Sequence, residues 1–358
     1  MIKFGLVTVV SMMLVISAYG QNDLLVESET NKGQTAETDQ SVPTEEAPQK
    51  DPVAVPPPKG KVPKGLALLG MNNYFAGKAI VLDKQRRTLS IWQADKTGRL
   101  SLVKAYPSDY GRKPGDKQVV GDLKTPEGIY FFEETYFGAQ LDFNEYGQRA
   151  FTMDYPNYFD RKERKTGSGI WLHAIPPTKS LLRGSRGCIV VRNEAIDEIK
   201  QHISLKNMPI VVYDYVEYVS QDTHLEEQKQ FLSWLESWKK SWMSKDIDQY
   251  ISFYDDSFNA LRMNKEQWRE YKQSLNEKYE FIKVGITEPM IVTHKDEVVI
   301  RFMQQYRSDQ NGDVGEKTLY VKRNDMGDFK IVHEKWAEVS KETLAAKGLP
   351  GDFSQAAN

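Results

Sequence analysis

The rhythm of apolar and polar positions changes several times along the chain. From residue 77 onward, Ile, Val, Leu and Trp gather in short runs at 79–83, 87–92 and 100–106, separated by Asp83-Lys84-Gln85 and Lys96-Thr97-Gly98. Short β-branched runs with turn residues between them predict hairpin-linked strands in a sheet or sandwich, not a wound α/β domain. Ile170-Trp171-Leu172-His173-Ala174 and Cys188-Ile189-Val190-Val191 read as two more buried strands, joined by a loop marked by Pro176-Pro177 and Gly184. A short amphipathic helix over 194–200, with Asn193 as its cap, precedes a returning strand at 208–213.

Near residue 225 the period becomes helical. Phe231, Leu235, Trp238, Trp242, Ile247, Tyr250, Phe253, Tyr254 and Phe258 recur at helical spacing, which predicts two helices meeting around Lys245-Asp246 and a shared core stripe. A third helix over 266–278 is followed by strands at 282–286, 290–294, 297–306, 315–323 and 329–336. Before all of this, residues 62–76 carry Leu66, Leu68, Leu69, Met71 and Phe75 and read as a short lead-in helix or docking segment.

The N-terminal stretch has a different character. Residues 1–20 combine Lys3, an apolar run over 4–17 and a small-x-small ending at Ala18-Tyr19-Gly20, the pattern of a cleaved secretory signal peptide, with an uncleaved anchor as the alternative. Residues 21–61 are rich in Glu, Thr, Gln, Ser and Pro and too poor in apolar side chains to offset their chain entropy, so a disordered tether is expected. Residues 341–358 read as a tail. Without leader and tether about 280 to 300 residues remain, enough for two domains with their own cores.

Charge and motifs exclude several classes. A net charge of −2 gives no overall basic field, so nucleic acid is not an expected partner. No strand, glycine-rich loop and helix follow one another in the manner of a nucleotide site. His202, His224, His294 and His333 share no metal-ligand spacing, so neither a metal nor a cofactor is expected.

One cysteine, Cys188, occurs in 358 residues. In an exported chain it cannot form an intramolecular disulfide, which points to chemistry more than to structure. A thiol needs a base or electropositive surroundings to act as a nucleophile at neutral pH, and His173 is the candidate base. Gly187 falls where a backbone that turns its N–H groups toward a developing oxyanion needs unusual dihedrals. The alternative is a small buried hydrophobe beside a satisfied core histidine.

An ordered set of elements carries a resemblance: Gly111-Arg112-Lys113, Gly121-Asp122, Thr125-Pro126-Glu127-Gly128, Trp171-Leu172-His173 and Ser185-Arg186-Gly187-Cys188. Together, over residues 77–216, they resemble the YkuD-type L,D-transpeptidase catalytic domain. The resemblance implies a β-rich catalytic fold acting on the stem peptides of peptidoglycan, with Cys188 as nucleophile and His173 as general base. It also implies that the Ala174 carbonyl orients the histidine and that the backbone N–H groups of Arg186, Gly187 and Cys188 form the oxyanion hole. Relative to the commonest pattern, Arg186 replaces a histidine, Val190 an arginine and Ala174 a glycine. A Ser-Arg-Gly-Cys form is similar to the branch containing cell-shape L,D-carboxypeptidases and enzymes that release proteins from peptidoglycan. Residues 225–340 resemble a nuclear transport factor 2-like α+β cone, expected to bind glycan, peptide or a partner protein.

The stretch 132–168, rich in Tyr and Phe, is long for a connection and reads as a lid or substrate wall. Its basic run, Arg161 to Lys165, reads as a solvated loop. Arg183 and Arg186, with Ser185, are the candidate substrate-binding residues, because a guanidinium fork suits the carboxylates of a stem peptide. The expected function is a peptidoglycan L,D-transpeptidase of the periplasm or cell envelope, working through a cysteine acyl-enzyme in wall biogenesis and cell shape. Carboxypeptidase, amidase and non-catalytic binding outcomes are the alternatives.

Overall fold

Both faces of the strands nearest the centre of the molecule are buried, and this shapes everything around them. In the computed structural model, residues 50–70, 74–324 and 326–348 are described. The expected leader, most of the expected tether and residues 349–358 lie outside the described residues. The elements are, in chain order, β1 (Lys61–Pro63), β2 (Leu68–Leu69), β3 (Lys78–Asp83), β4 (Thr88–Ala94), β5 (Leu100–Pro107) and β6 (Gly128–Phe137). There follow α1 (Phe143–Tyr146), β7 (Arg149–Met153), α2 (Tyr158–Lys162), β8 (Trp171–Ile175), β9 (Ile189–Arg192), α3 (Asn193–Ile199), β10 (Pro209–Tyr213) and β11 (Tyr218–Ser220).

Eight of these strands form one sheet in the order β5-β4-β3-β10-β6-β7-β8-β9. The pairs β3–β10 and β8–β9 are parallel and the rest antiparallel. Alternation along β3 sends Ile80 and Leu82 into a core with Leu172, Ile189 and Val191. It sends Ala79 and Val81 to the other face, into a cluster with Trp92, Met290 and Val299. Each fully buried aliphatic side chain contributes about 1.5–3 kcal/mol, so β3 ties the two halves of the molecule together.

The second half begins with α4 (Gln221–Met243), whose Phe231, Leu235, Trp238 and Trp242 are buried on one face. Then come α5 (Ile247–Ile251), the short pair β12 (Asn259–Ala260) and β13 (Met263–Asn264), and α6 (Lys265–Lys278). The long strands are β14 (Ile282–His294), β15 (Glu297–Ser308), β16 (Gly312–Arg323) and β17 (Phe329–Glu338). They form an antiparallel sheet in the order β17-β16-β15-β14-β2. The architecture is thus the β-rich catalytic fold followed by an α+β cone.

Several details differ from expectation. The two strands predicted at 282–286 and 290–294 are one strand with a register shift between Thr287 and Met290, where Glu288 takes a positive φ of 54° just before Pro289. Asn193 does not cap α3. Arg192 occupies that position, and Asn193 Oδ1 instead accepts from Gln148 N at 3.0 Å.

The lead-in segment forms strands instead of a helix: β1 pairs with β11, and β2 becomes the edge of the C-terminal sheet. Its glycines explain this. A Cβ at Gly65 would meet the Tyr213 hydroxyl at 1.7 Å, and Gly70 sits at a φ of +71°. The expected tail opens with α7 (Lys341–Ala346), capped by Ser340 and anchored by the buried Leu344.

The expected lid is largely regular structure, because β6 and β7 pair as an antiparallel arm. Tyr158 and Phe159 are not substrate wall. They are buried against the C-terminal sheet, where Tyr158 stacks on His333 at 4.4 Å and donates its hydroxyl to the Val332 carbonyl at 3.0 Å. The end of the expected tether is docked, since Val55 N donates to Thr88 Oγ1 at 2.9 Å. Among the described residues no helix is long and apolar enough to cross a membrane.

Candidate active site

Strands β8 and β9 lie side by side in parallel, with Leu172 opposite Ile189 and His173 opposite Val190. The connection 176–187 crosses over and delivers Cys188 to the start of β9, into a cavity it shares with His173. His173 is buried, and its Nδ1 lies 2.8 Å from the Ala174 carbonyl oxygen. In the neutral ring, Nδ1–H donates to that carbonyl and Nε2 keeps the lone pair. Tyr146 braces the imidazole edge-on, with ring centres 5.1 Å apart.

Burial sets the protonation states. It pushes the His173 pKa down to about 4. The Ala174 carbonyl opposes this, the nearby Arg183 cation lowers it further, and Glu145 works against Arg183. Burial also pushes the Cys188 thiol up, opposed by a backbone hydrogen bond from Trp171 and by the Arg186 charge. At neutral pH the two residues are therefore a thiol and a neutral imidazole, the protonation states from which general-base attack would start.

A pH dependence follows. A base at His173 would be competent only when neutral, a state kept above its lowered pKa and lost as pH falls through about 4. The expected kcat/KM profile is flat from neutral down to about pH 5. An acid limb at the ordinary histidine value, 6.5, would rule out His173 in this state as the base.

The turn before Cys188 is held from several sides. Ser185 Oγ accepts from Gly187 N at 2.9 Å and donates to the Cys188 carbonyl at 2.6 Å. Thr125 Oγ1 donates to the Gly187 carbonyl at 2.8 Å and accepts from Gly111 N at 2.9 Å. Asp109, paired with Arg87, accepts from Gly184 N at 2.6 Å. Gly187 has a φ of +138°, and a Cβ there would meet the Lys124 carbonyl oxygen at 2.8 Å, so glycine is required.

This geometry refines one expectation and corrects another. The Ser185 hydroxyl bridges the turn, although the residue still lines the cavity that holds His173 and Cys188. The Gly187 N–H is spent on that hydroxyl, which leaves the N–H groups of Arg186 and Cys188 without a protein acceptor among the described residues.

His173 and Cys188 line one cavity of about 60 Å³ with Arg112, Arg183, Arg186, Glu145 and Tyr146. Glu145 pairs with Lys179 and lies 3.7 Å from Arg183. Arg112 and Arg186 have no carboxylate partner among the described residues, so the cavity is electropositive and suited to an anion. Sequence reasoning passed over Arg112 and Thr125, although both stand in the quoted Gly-Arg-Lys and Thr-Pro-Glu-Gly elements. Glu145 and Tyr146 lie in the segment read as a lid and carry no motif of their own.

A second cavity, of about 810 Å³, opens in the cone. The buried Lys272 ammonium sits 4.3 Å from the Trp242 ring centre and 4.7 Å from that of Trp268. Burial pushes its pKa down to about 8. Trp268 Nε1 and Gln304 Oε1, also in this wall, are buried and have no partner among the described residues. Nearby, Lys317 pairs with Glu334 at 2.6 Å, and Tyr254 donates to the same carboxylate at 3.0 Å. Elsewhere, His224 Nε2 lies 2.8 Å from the Leu66 carbonyl oxygen, while His294 is buried against the Tyr213 ring and its Nε2 has no partner among the described residues. Among the described residues no group of His, Cys, Asp and Glu could hold a metal.

Residues 77–212 match the YkuD family, described as the L,D-transpeptidase catalytic domain, and residues 230–335 match the Cds6 C-terminal NTF2-like domain. Bd1075 of Bdellovibrio bacteriovorus is 40% identical with a TM-score of 0.73, the similarity covering 78% of this chain and 99% of that one. Pgp2 of Campylobacter jejuni, described as a helical cell shape determining protein, is 26% identical with a TM-score of 0.58, covering 75% and 94%. YafK of Escherichia coli K12, whose name places it among the L,D-transpeptidases, is 30% identical over 127 residues. That match covers 35% of this chain and 46% of YafK, so the chain spans about half the length of the curated relatives it matches.

Proposed function

Since the chain belongs to the YkuD-type L,D-transpeptidase family and carries a C-terminal NTF2-like domain, we propose that it acts on peptidoglycan stem peptides through a Cys188 acyl-enzyme. The observation that carries this reading is the shared cavity in which Cys188 and the oriented His173 meet guanidinium groups. The bond attacked is the L,D-amide between the diamino acid at stem position three and the terminal D-alanine.

As Cys188 Sγ bonds to the carbonyl carbon, its proton passes to His173 Nε2. The N–H groups of Arg186 and Cys188 stabilise the oxyanion. Collapse breaks the C–N bond, the histidine proton goes to the departing D-alanine amine, and a thioester remains. Arg183, Arg186 and Arg112 hold the carboxylates of the donor stem. Transfer to an amine of a neighbouring stem gives a cross-link.

A second reading, with water as acceptor, is supported by the Ser185-Arg186-Gly187-Cys188 form, which resembles that of cell-shape L,D-carboxypeptidases. Incubating the full chain with disaccharide tetrapeptide, with and without excess acceptor stem, separates the two. Cross-linked dimers establish a transpeptidase, and tripeptide alone with acceptor present establishes a carboxypeptidase. Release of protein from a peptidoglycan-linked lipoprotein would instead identify an amidase, and no reaction on any of these would leave a binding module. The expected place of action is the cell envelope.

The cone is assigned an anionic group of the same polymer, seated on Lys272. The buried ammonium and the unpartnered Trp268 and Gln304 atoms support this. Replacing Lys272 by Met keeps the stem but removes the charge, and is expected to weaken co-sedimentation with intact sacculi about tenfold. Unchanged sedimentation would contradict the assignment.

A further inference from the structure

Asp51 lies in the segment predicted to be a passive tether, yet it reaches the edge of the active site. Its carboxylate accepts from Arg192 Nε at 2.6 Å and also from Nη2. The remaining terminal nitrogen, Nη1, donates to the carbonyl oxygens of Pro176 and Lys179, each at 2.8 Å. Lys179 N closes the same turn by donating to the Pro176 carbonyl at 3.1 Å. One guanidinium, its side chain only 15% exposed, thus joins the N-terminal segment to the turn 176–179.

That turn opens the crossover between His173 and Cys188. The far end of the crossover is fixed by Asp109 at Gly184 and by the Tyr110 carbonyl, which accepts from Ser185 N at 2.8 Å. At the near end, the Arg192 side chain bonds two of its carbonyls. From the turn, Lys179 extends to Glu145, and Glu145 faces Arg183 across 3.7 Å. Displacing the turn therefore moves Lys179, Glu145 and Arg183 together, and all three belong to or abut the electropositive wall.

The chemistry at Arg192 calls for a carboxylate. Two backbone carbonyls stabilise a guanidinium only partly, and a largely buried cation without a counter-ion is costly. The planar fork also permits one residue to bind a carboxylate on one edge and carbonyls on another, which a lysine cannot reproduce. The path of the segment is fixed as well. Val55 N is held by Thr88 Oγ1, Pro56-Pro57-Pro58 restrict the backbone, and Lys61 then enters β1 opposite Ser220. Asp51 is thus delivered by a strap with little freedom to lose.

We propose that Asp51 and Arg192 are positioning residues for the acyl transfer: the N-terminal strap holds the turn 176–179, and through it sets Arg183 where a substrate carboxylate binds. The kinetic part of this proposal rests on the function proposed above.

The test compares the full chain with its Asp51→Asn, Asp51→Glu and Arg192→Lys variants. Three quantities are read: hydrogen exchange of the amides in 178–187, kcat and KM for release of D-alanine from tetrapeptide, and the rate of Cys188 alkylation by iodoacetamide. Asp51→Asn should speed exchange within 178–187 and raise KM roughly tenfold. It should leave alkylation unchanged, because Thr125 and Ser185 hold the cysteine turn independently. Asp51→Glu should restore most of the loss, and Arg192→Lys should reproduce the Asp51→Asn defect.

Wild-type exchange in 178–187 for Asp51→Asn would overturn the proposal. So would faster exchange spread evenly over the catalytic sheet with altered alkylation, the signature of a merely structural pair. Exchange needs no substrate, so a wild-type protein that turns over nothing, but whose loop still loosens in Asp51→Asn, would sink the proposed function while supporting the strap.

Discussion

Cys188→Ala is expected to reduce release of D-alanine from tetrapeptide by at least about 10⁴-fold, to background. The chain contains no second thiol to substitute for it. The fold should survive the change, because Sγ makes only weak contacts with backbone, among them a long 3.6 Å one to the Gly169 carbonyl oxygen, and the turn is held by Ser185 and Thr125. Quantifying D-alanine against time, together with the thermal midpoint of both proteins, checks both halves of the statement. Turnover by Cys188→Ala above about one per cent of wild type would mean that another group attacks the amide.

His173→Gln is expected to cost about 10²–10⁴-fold at pH 7. The size of the loss follows from the protonation states. Burial raises the thiol pKa, so without a base almost no thiolate exists at neutral pH. The same reasoning gives a distinctive pH profile. The variant should recover activity steadily as pH rises, because hydroxide then performs the ionisation that the imidazole performs in the wild type. A pH series of kcat/KM for both proteins reads this directly. A variant within tenfold of wild type at pH 7, or one whose deficit is constant across pH, would show that the histidine is not the base.

Much of the first sheet was legible because its signal is local. The runs at 79–83 and 100–106 alternate or stay apolar over their length, and the turn residues between them fix where each strand stops. The same holds for α4, whose apolar stripe survives as a buried face. That His173 and Cys188 would share one cavity was legible because few residue types can do that chemistry and both stood in apolar runs, although His173 sits in the middle of its strand and not at the expected end.

What escaped the sequence depends on contacts between distant segments. Tyr158 and Phe159 have the composition of a substrate wall, but their partners, Tyr320, His333 and Val332, lie more than a hundred and fifty residues later. Leu68 and Leu69 form a strand only because β14 offers an open edge. The Gly187 N–H looked available for an oxyanion until the Ser185 hydroxyl was seen to accept from it, a matter of one side-chain torsion that no spacing encodes. Trp242 and Trp268 were read as core, or left unremarked, because the cage around Lys272 is assembled from two helices. Asp51, in a run of polar and proline residues, offered no sign of the guanidinium waiting for it.

The central claim is that a thioester forms on Cys188. Its most direct test is the intact mass of the full chain, quenched in acid within seconds of mixing with disaccharide tetrapeptide. The account predicts an adduct equal to the donor minus D-alanine, localised to the peptide containing Cys188, discharged by hydroxylamine and absent from Cys188→Ala. Release of D-alanine with no adduct at any quench time, or an adduct that persists in Cys188→Ala, would contradict it.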